Sequence, residues 1–160
     1  MKIFFLALLI AVGLIGSISA QTTADFNNTQ VAAVKIDFSE YLKTSENFFK
    51  ALDKIQNSPT TDDSPDKAVK VIDAWASAFS NYGKGNQDFA KKHPEVLTQT
   101  TPPPEVLNIM GKFALMKTEY APALQRLNSL ITKYHSYPQV QEALRRYQAS
   151  LEEIDKLIKM

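Results

Sequence analysis

The chain has 160 residues, with 18 Lys and Arg against 17 Asp and Glu, two His and no Cys. Without cysteine there is no disulfide framework, no thiolate nucleophile and no cysteine-ligated zinc or iron–sulfur centre. Balanced charge excludes the clustered basic surface of an electrostatic nucleic-acid binder, and the length fits one domain.

Met1-Lys2 is a minimal basic start, Ile3 to Ile15 is apolar apart from Gly13, and Gly16-Ser17-Ile18-Ser19-Ala20 is small and weakly apolar. This order is that of a secretory signal peptide over residues 1–20. Its apolar part is shorter than the roughly 20 residues that span a bilayer. Cleavage is expected after Ala20, with Ile18 at the −3 position; cleavage after Ser19 and a retained anchor are the alternatives. Loss of Lys2 leaves 17 basic and 17 acidic residues, so the processed chain is neutral. It keeps seven Phe, six Tyr and Trp75, enough for a core. A domain of this size buries roughly 68–70% of its unfolded surface and can fold without a covalent staple. The expected compartment is extracellular, or periplasmic in a bacterium, with no membrane association after cleavage.

Residues 21–30 are polar and read as a flexible N-terminus. Asn27-Asn28-Thr29 is an N-glycosylation sequon, relevant in a eukaryote. A single helical domain is expected over 31–160. Val31, Val34, Phe38, Tyr41/Leu42, Phe48/Phe49, Leu52 and Ile55 form an i, i+3/i+4 stripe, ended at Asn57-Ser58-Pro59. Ser64-Pro65-Asp66 then supplies a capping hydroxyl, a proline at the first helical position and an early acid. Ala68, Val71/Ile72, Trp75, Phe79 and Tyr82 continue the buried stripe. Gly83 and Gly85 either stop this helix or weaken one that resumes through Phe89 to Lys92, before His93-Pro94.

Thr98 to Pro104 is a Pro-rich linker of polyproline type. Pro104-Glu105 opens a third helix with Val106/Leu107, Met110, Phe113/Ala114 and Lys117 on one side. Pro122 either kinks that helix or starts another after Tyr120. Leu124, Leu127, Leu130/Ile131 and Tyr134 carry the stripe onward to a turn at Tyr134-His135-Ser136-Tyr137-Pro138. The last helix turns Val140, Leu144, Tyr147, Leu151, Ile154 and Leu157/Ile158 inward. No segment alternates at period two. The expected fold is all-α, a bundle of four to five amphipathic helices, two helical hairpins joined by the Pro-rich linker. A faint internal repeat at an offset of 72 residues aligns Phe48, Ala51, Leu52 and Ile55 with Tyr120, Ala123, Leu124 and Leu127. It also aligns Ala68, Ile72, Trp75, Phe79 and Tyr82 with Val140, Leu144, Tyr147, Leu151 and Ile154. Duplication and a shared helical period both account for it.

Chemistry-bearing residues are few. His93 follows Lys91-Lys92 and His135 sits in a turn between tyrosines, neither with a nucleophile and orienting carboxylate beside it. Metalloprotease, nucleophile-elbow, P-loop and dinucleotide-binding signatures are missing, so no catalytic residue and no cofactor is expected. Asp62, Asp63 and Asp66 form a candidate cation site. Yet Lys67 stands where a calcium loop needs glycine, and charges capping the helix N-terminus explain the acids better. Arg145-Arg146 and Glu152-Glu153 with Asp155 read as solvated helix faces. Trp75, Phe79, Tyr82, Met110, Phe113 and Met116 are the candidates for lining an apolar ligand cavity, the competing reading being ordinary core.

Phe48-Phe49 through Ile55-Gln56-Asn57-Ser58, a hydroxyl-bearing turn, and Ile72-Asp73-Ala74-Trp75-Ala76 with the later Gly83 make a pattern that resembles the SXP/RAL family of secreted nematode proteins. Ala123-Leu124 to Leu157 resembles its second half. The turn extended from Pro59 to Pro65, the distant Gly83 and Pro102-Pro103-Pro104 depart from it. The resemblance implies a small cysteine-free helical protein with a signal peptide, divalent-cation binding and ligand or host interaction; it assigns no binding residue. Three functions follow as expectations: a secreted, non-catalytic binding or interaction protein for an unidentified small ligand or protein; a carrier of a fatty acid-like ligand in the bundle core; and a divalent-cation-binding protein.

Overall fold

The computed structural model describes residues 36–58, 63–94 and 102–158, with side chains as far as 155. The signal segment, the Asn27 sequon and Asp62 lie outside the described residues. Five helices follow in order: α1 (Ser39–Gln56), α2 (Pro65–Lys92), α3 (Pro104–Glu119), α4 (Ala121–Tyr134) and α5 (Pro138–Ile158). The described residues are 87% helical and contain no strand, so the all-α bundle expected from the stripes is what forms.

Prolines and short polar side chains set the helix boundaries. Ser64, with φ −143° and ψ 161°, accepts a hydrogen bond from the Lys67 backbone N–H at 3.2 Å, and Pro65 follows as the first helical residue. Pro103 is extended, with φ −66° and ψ 157°, and Pro104 opens α3. Pro122 starts a helix rather than kinking one. The chain breaks at Tyr120, with φ −103° and ψ 17°, and Pro122 occupies the first turn of α4, where its missing N–H has no intrahelical partner to lose. At the start of α1 the stripe residues Val31 and Val34 lie outside the described residues. Phe38 is the N-cap, and Asp37 Oδ1 accepts from the Ser39 N–H at 2.9 Å.

Gly83 and Gly85 do not stop α2, which runs unbroken for 28 residues. Gly85 is where α1 passes closest: a Cβ at that position would lie 2.5 Å from Thr44 Cγ2. The glycine weakens the helix intrinsically but admits the neighbouring one.

Cross-helix pairs fix the topology. Lys92 bonds Glu40 at 2.8 Å, while the Phe48 ring lies 4.9 Å from Tyr82 and 5.5 Å from Phe79, so numbers fall along one helix as they rise along the other. α1 and α2 are therefore an antiparallel hairpin. Across the two halves the numbers rise together. Arg146 bonds Asp73 through Nε and a terminal nitrogen, both at 2.9 Å, and Ser80 donates to Glu153 at 3.1 Å. α5 thus lies parallel to α2, in the most extensive helix pairing of the fold. The same holds at α1 and α4, where Tyr120 donates to Asp53 at 2.8 Å and Arg126 reaches Ser58. The second hairpin, α4–α5, sits on the first with its helices in matching direction, and α3 is the crossover that makes this possible.

The core runs through that junction. Leu52, Ile72, Leu127 and Val140 are fully enclosed, and Trp75 is 1% exposed. α3 covers it incompletely, burying Val106, Ile109, Phe113 and Met116 while Leu107 and Leu115 stay exposed. Among the described residues no helix is long and apolar enough to cross a membrane.

Candidate functional site

Of the six residues expected to line an apolar cavity, the four aromatic ones are found as packed rings. Trp75 stacks on Phe79 with centroids 5.9 Å apart, and Phe79 approaches Tyr147 at 6.1 Å. Tyr82 lies 5.2 Å from Phe113, and Phe48 packs against both. Phe113 and Met116 are buried; Met110 and Tyr82 are partly so. Burial raises the Tyr82 hydroxyl pKa above its ordinary value, and pushes that of Tyr147 up to about 12. These pairs have the spacing of ordinary aromatic core.

A cavity of about 410 Å³ opens elsewhere, in the seam where the C-terminal end of α1 and the N-terminal turn of α2 meet α4. None of the six residues above lines it. Its volume falls in the range of small-ligand pockets. Val71, Pro122, Ala123 and Leu130 supply apolar wall, and Gln56 and Ser129 are polar neighbours. Among the described residues, Lys67, Arg126 and Lys133 bring three cations, against the single carboxylate of Asp63.

Helical spacing builds this wall. Pro122, Arg126, Ser129/Leu130 and Lys133 recur at i, i+4, i+7/i+8 and i+11, so α4 presents them on one side. Lys67 and Val71 stand one turn apart on α2. Arg126 ties α4 to α1. One terminal nitrogen donates to the Ser58 carbonyl at 2.9 Å; the other donates to Ser58 Oγ at 2.8 Å and to the Ile55 carbonyl. The guanidinium thereby satisfies carbonyls at the end of α1, where the helix dipole favours a cation. Its Nε is buried without a hydrogen-bond partner, and so is Gln56 Oε1.

The rim is held by Asp63. Lys133 donates to its carboxylate, and Tyr134 donates its hydroxyl to the Asp63 carbonyl at 2.8 Å. Hydrogen bonding from Lys133 holds the Asp63 carboxyl below the usual carboxylate range, and the same bond raises the Lys133 amine. Both side chains are more than half exposed, so the pair marks the rim without sealing it. Lys67 has no carboxylate partner among the described residues, and Arg126 bonds only neutral oxygens.

Of the proposed cation ligands, Asp63 is engaged with Lys133 and Asp66 is exposed in the first turn of α2. No group of three or more His, Cys, Asp or Glu among the described residues could hold a metal ion. His93 caps the C-terminus of α2 with its ring 4.9 Å from Phe89, and His135 closes α4 with Nδ1 3.0 Å from the Thr132 carbonyl. Arg145 pairs with Glu142, and Arg146 with Asp73 and Glu142.

Sequence reading passed over Arg126, Lys67 and Gln56. Arg126 carried a signal: a cation beside Leu127 in an inward stripe, half-buried in the fold. What it faces depends on the register between the hairpins, which helical periodicity does not encode. The chain matches no family model, no curated protein and no solved structure.

Proposed function

We propose that this chain is a non-catalytic extracellular binding protein that takes a small ligand in the seam between α1, α2 and α4. One observation carries the reading: a cavity of about 410 Å³ opens there, with apolar wall from Val71, Pro122, Ala123 and Leu130 beside Lys67, which has no carboxylate partner among the described residues. The leader-like residues 1–20 support export, as does the resemblance to a family of secreted cysteine-free helical proteins. The histidines support a binding role over catalysis. They lie near opposite ends of the bundle, His93 beyond the C-terminus of the 28-residue α2, about 40 Å from its N-terminal turn, and neither lines the cavity.

The test is a thermal-shift screen of small molecules against the chain and a Ser129→Trp variant. Ser129 is exposed at the cavity wall, so the indole obstructs the cavity without entering the core. Ligands that stabilise the chain and leave the variant unmoved support the reading. At a hundredfold excess over Kd the stabilisation is about 2.7 kcal/mol. Equal shifts in both proteins place binding elsewhere and reject it.

A further inference from the structure

Resting on that reading, we infer that the ligand is an amphipathic monocarboxylate, with its head group between Lys67 and Arg126 and its apolar part against Val71, Pro122, Ala123 and Leu130. Among the described residues the cavity wall holds three cations and one carboxylate, and that carboxylate is already engaged by Lys133. The positive charge left over is that of Lys67 and Arg126.

The donors still open determine the anion. Both terminal nitrogens of Arg126 are committed to the Ile55 and Ser58 oxygens and its Nε is buried, so the guanidinium contributes charge rather than an open donor. Lys67 has no acidic partner among the described residues and stands in the first turn of α2, at the positive end of its dipole. One open ammonium donor beside a second cation matches a head group of single negative charge. A phosphate would bring a second charge and more acceptor oxygens than this one donor serves. The apolar wall gives a short hydrocarbon body a surface to bury that an inorganic anion does not need.

Isothermal titration calorimetry with octanoate, octylamine, octanol and inorganic phosphate tests this on the full chain and on Lys67→Gln and Lys67→Glu. Lys67 is the variant site because, unlike Arg126, its side chain ties no helix to another. Octanoate is expected to bind one to one. Its Kd rises at least tenfold in Lys67→Gln, and its heat vanishes in Lys67→Glu, with far-UV circular dichroism and melting unchanged. Phosphate binding as tightly as octanoate overturns the monocarboxylate assignment and makes the site one for inorganic anions. Octanol or octylamine binding equal to that of octanoate overturns the anionic head group but keeps the pocket as a binding site. Silence from all four probes defeats the carboxylate assignment, while the Ser129→Trp screen still decides whether the seam binds anything.

Discussion

Replacing Gly85 by alanine tests how the first hairpin closes, because two opposing effects act on one methyl group. Within a helix, alanine is favoured over glycine by about 1 kcal/mol, so an isolated α2 would gain stability. In the fold, the added Cβ lies 2.5 Å from Thr44 Cγ2, 2.6 Å from Thr44 Oγ1 and 3.1 Å from Thr44 Cβ. Carbon atoms rest at about 3.5–4.0 Å, so the first contact is roughly 1 Å too short. Rotating Thr44 moves Cγ2 and Oγ1 but leaves its Cβ in place. Overpacking of this kind costs about 1–3 kcal/mol, which exceeds the helical gain. Gly85→Ala is therefore expected to lower unfolding free energy by about 1 kcal/mol. Gly111 is the internal control: a Cβ there meets nothing within 4 Å, so Gly111→Ala should raise stability by about 1 kcal/mol. Urea unfolding followed by far-UV circular dichroism measures both, and Thr44→Ala combined with Gly85→Ala should recover most of the loss. If Gly85→Ala stabilises the chain as much as Gly111→Ala does, the close crossing of α1 and α2 is wrong.

Other expectations concern the joints between the two hairpins. Arg126→Ala strips three charge-assisted bonds from Ile55 and Ser58 and should cost about 1.5–3 kcal/mol by urea unfolding, whereas Lys67→Gln should stay within about 0.5 kcal/mol; equal stabilities would deny Arg126 its tie to α1. A double-mutant cycle on Asp73→Asn and Arg146→Gln should return a coupling of about 0.5–1 kcal/mol that shrinks in high salt, because the pair is bidentate at 2.9 Å but partly exposed; zero coupling at low salt would argue against the parallel register of α2 and α5. Burial pushes the Tyr147 hydroxyl up to about 12, from about 10 in an unfolded chain. The fold thus favours the neutral phenol: its contribution is whole below pH 10 and is lost as pH rises toward 12. Near-ultraviolet absorbance should show late tyrosinate formation coinciding with loss of helicity, and smooth ionisation near pH 10 with the helices intact would refute the burial of Tyr147.

Helices were legible where local chemistry sets them. Ser64-Pro65 carried the start of α2 and His93-Pro94 its end, because a capping hydroxyl and a proline act within one turn. Pro122 left two readings open, since a proline either kinks a helix or opens one; Tyr120, turned out of helical geometry, resolves it. Gly83 and Gly85 read as weak points because propensity ignores neighbours, while the contact with Thr44 that requires Gly85 is 41 positions away. The seam was not legible for the same reason. Gln56, Lys67 and Arg126 belong to three helices and converge only through the parallel stacking of the hairpins. The aromatic stripe from Trp75 to Tyr82 was visible as apolar, but periodicity does not separate a filled core from a cavity.

The most direct test of the central claim is an amide-resolved NMR titration of the chain with octanoate. Shifts confined to Lys67, Val71, Ala123, Arg126 and Leu130 are the expected result. Shifts centred on Trp75, Phe113 and Met116, with the seam unmoved, would place the ligand in the aromatic core and contradict the account.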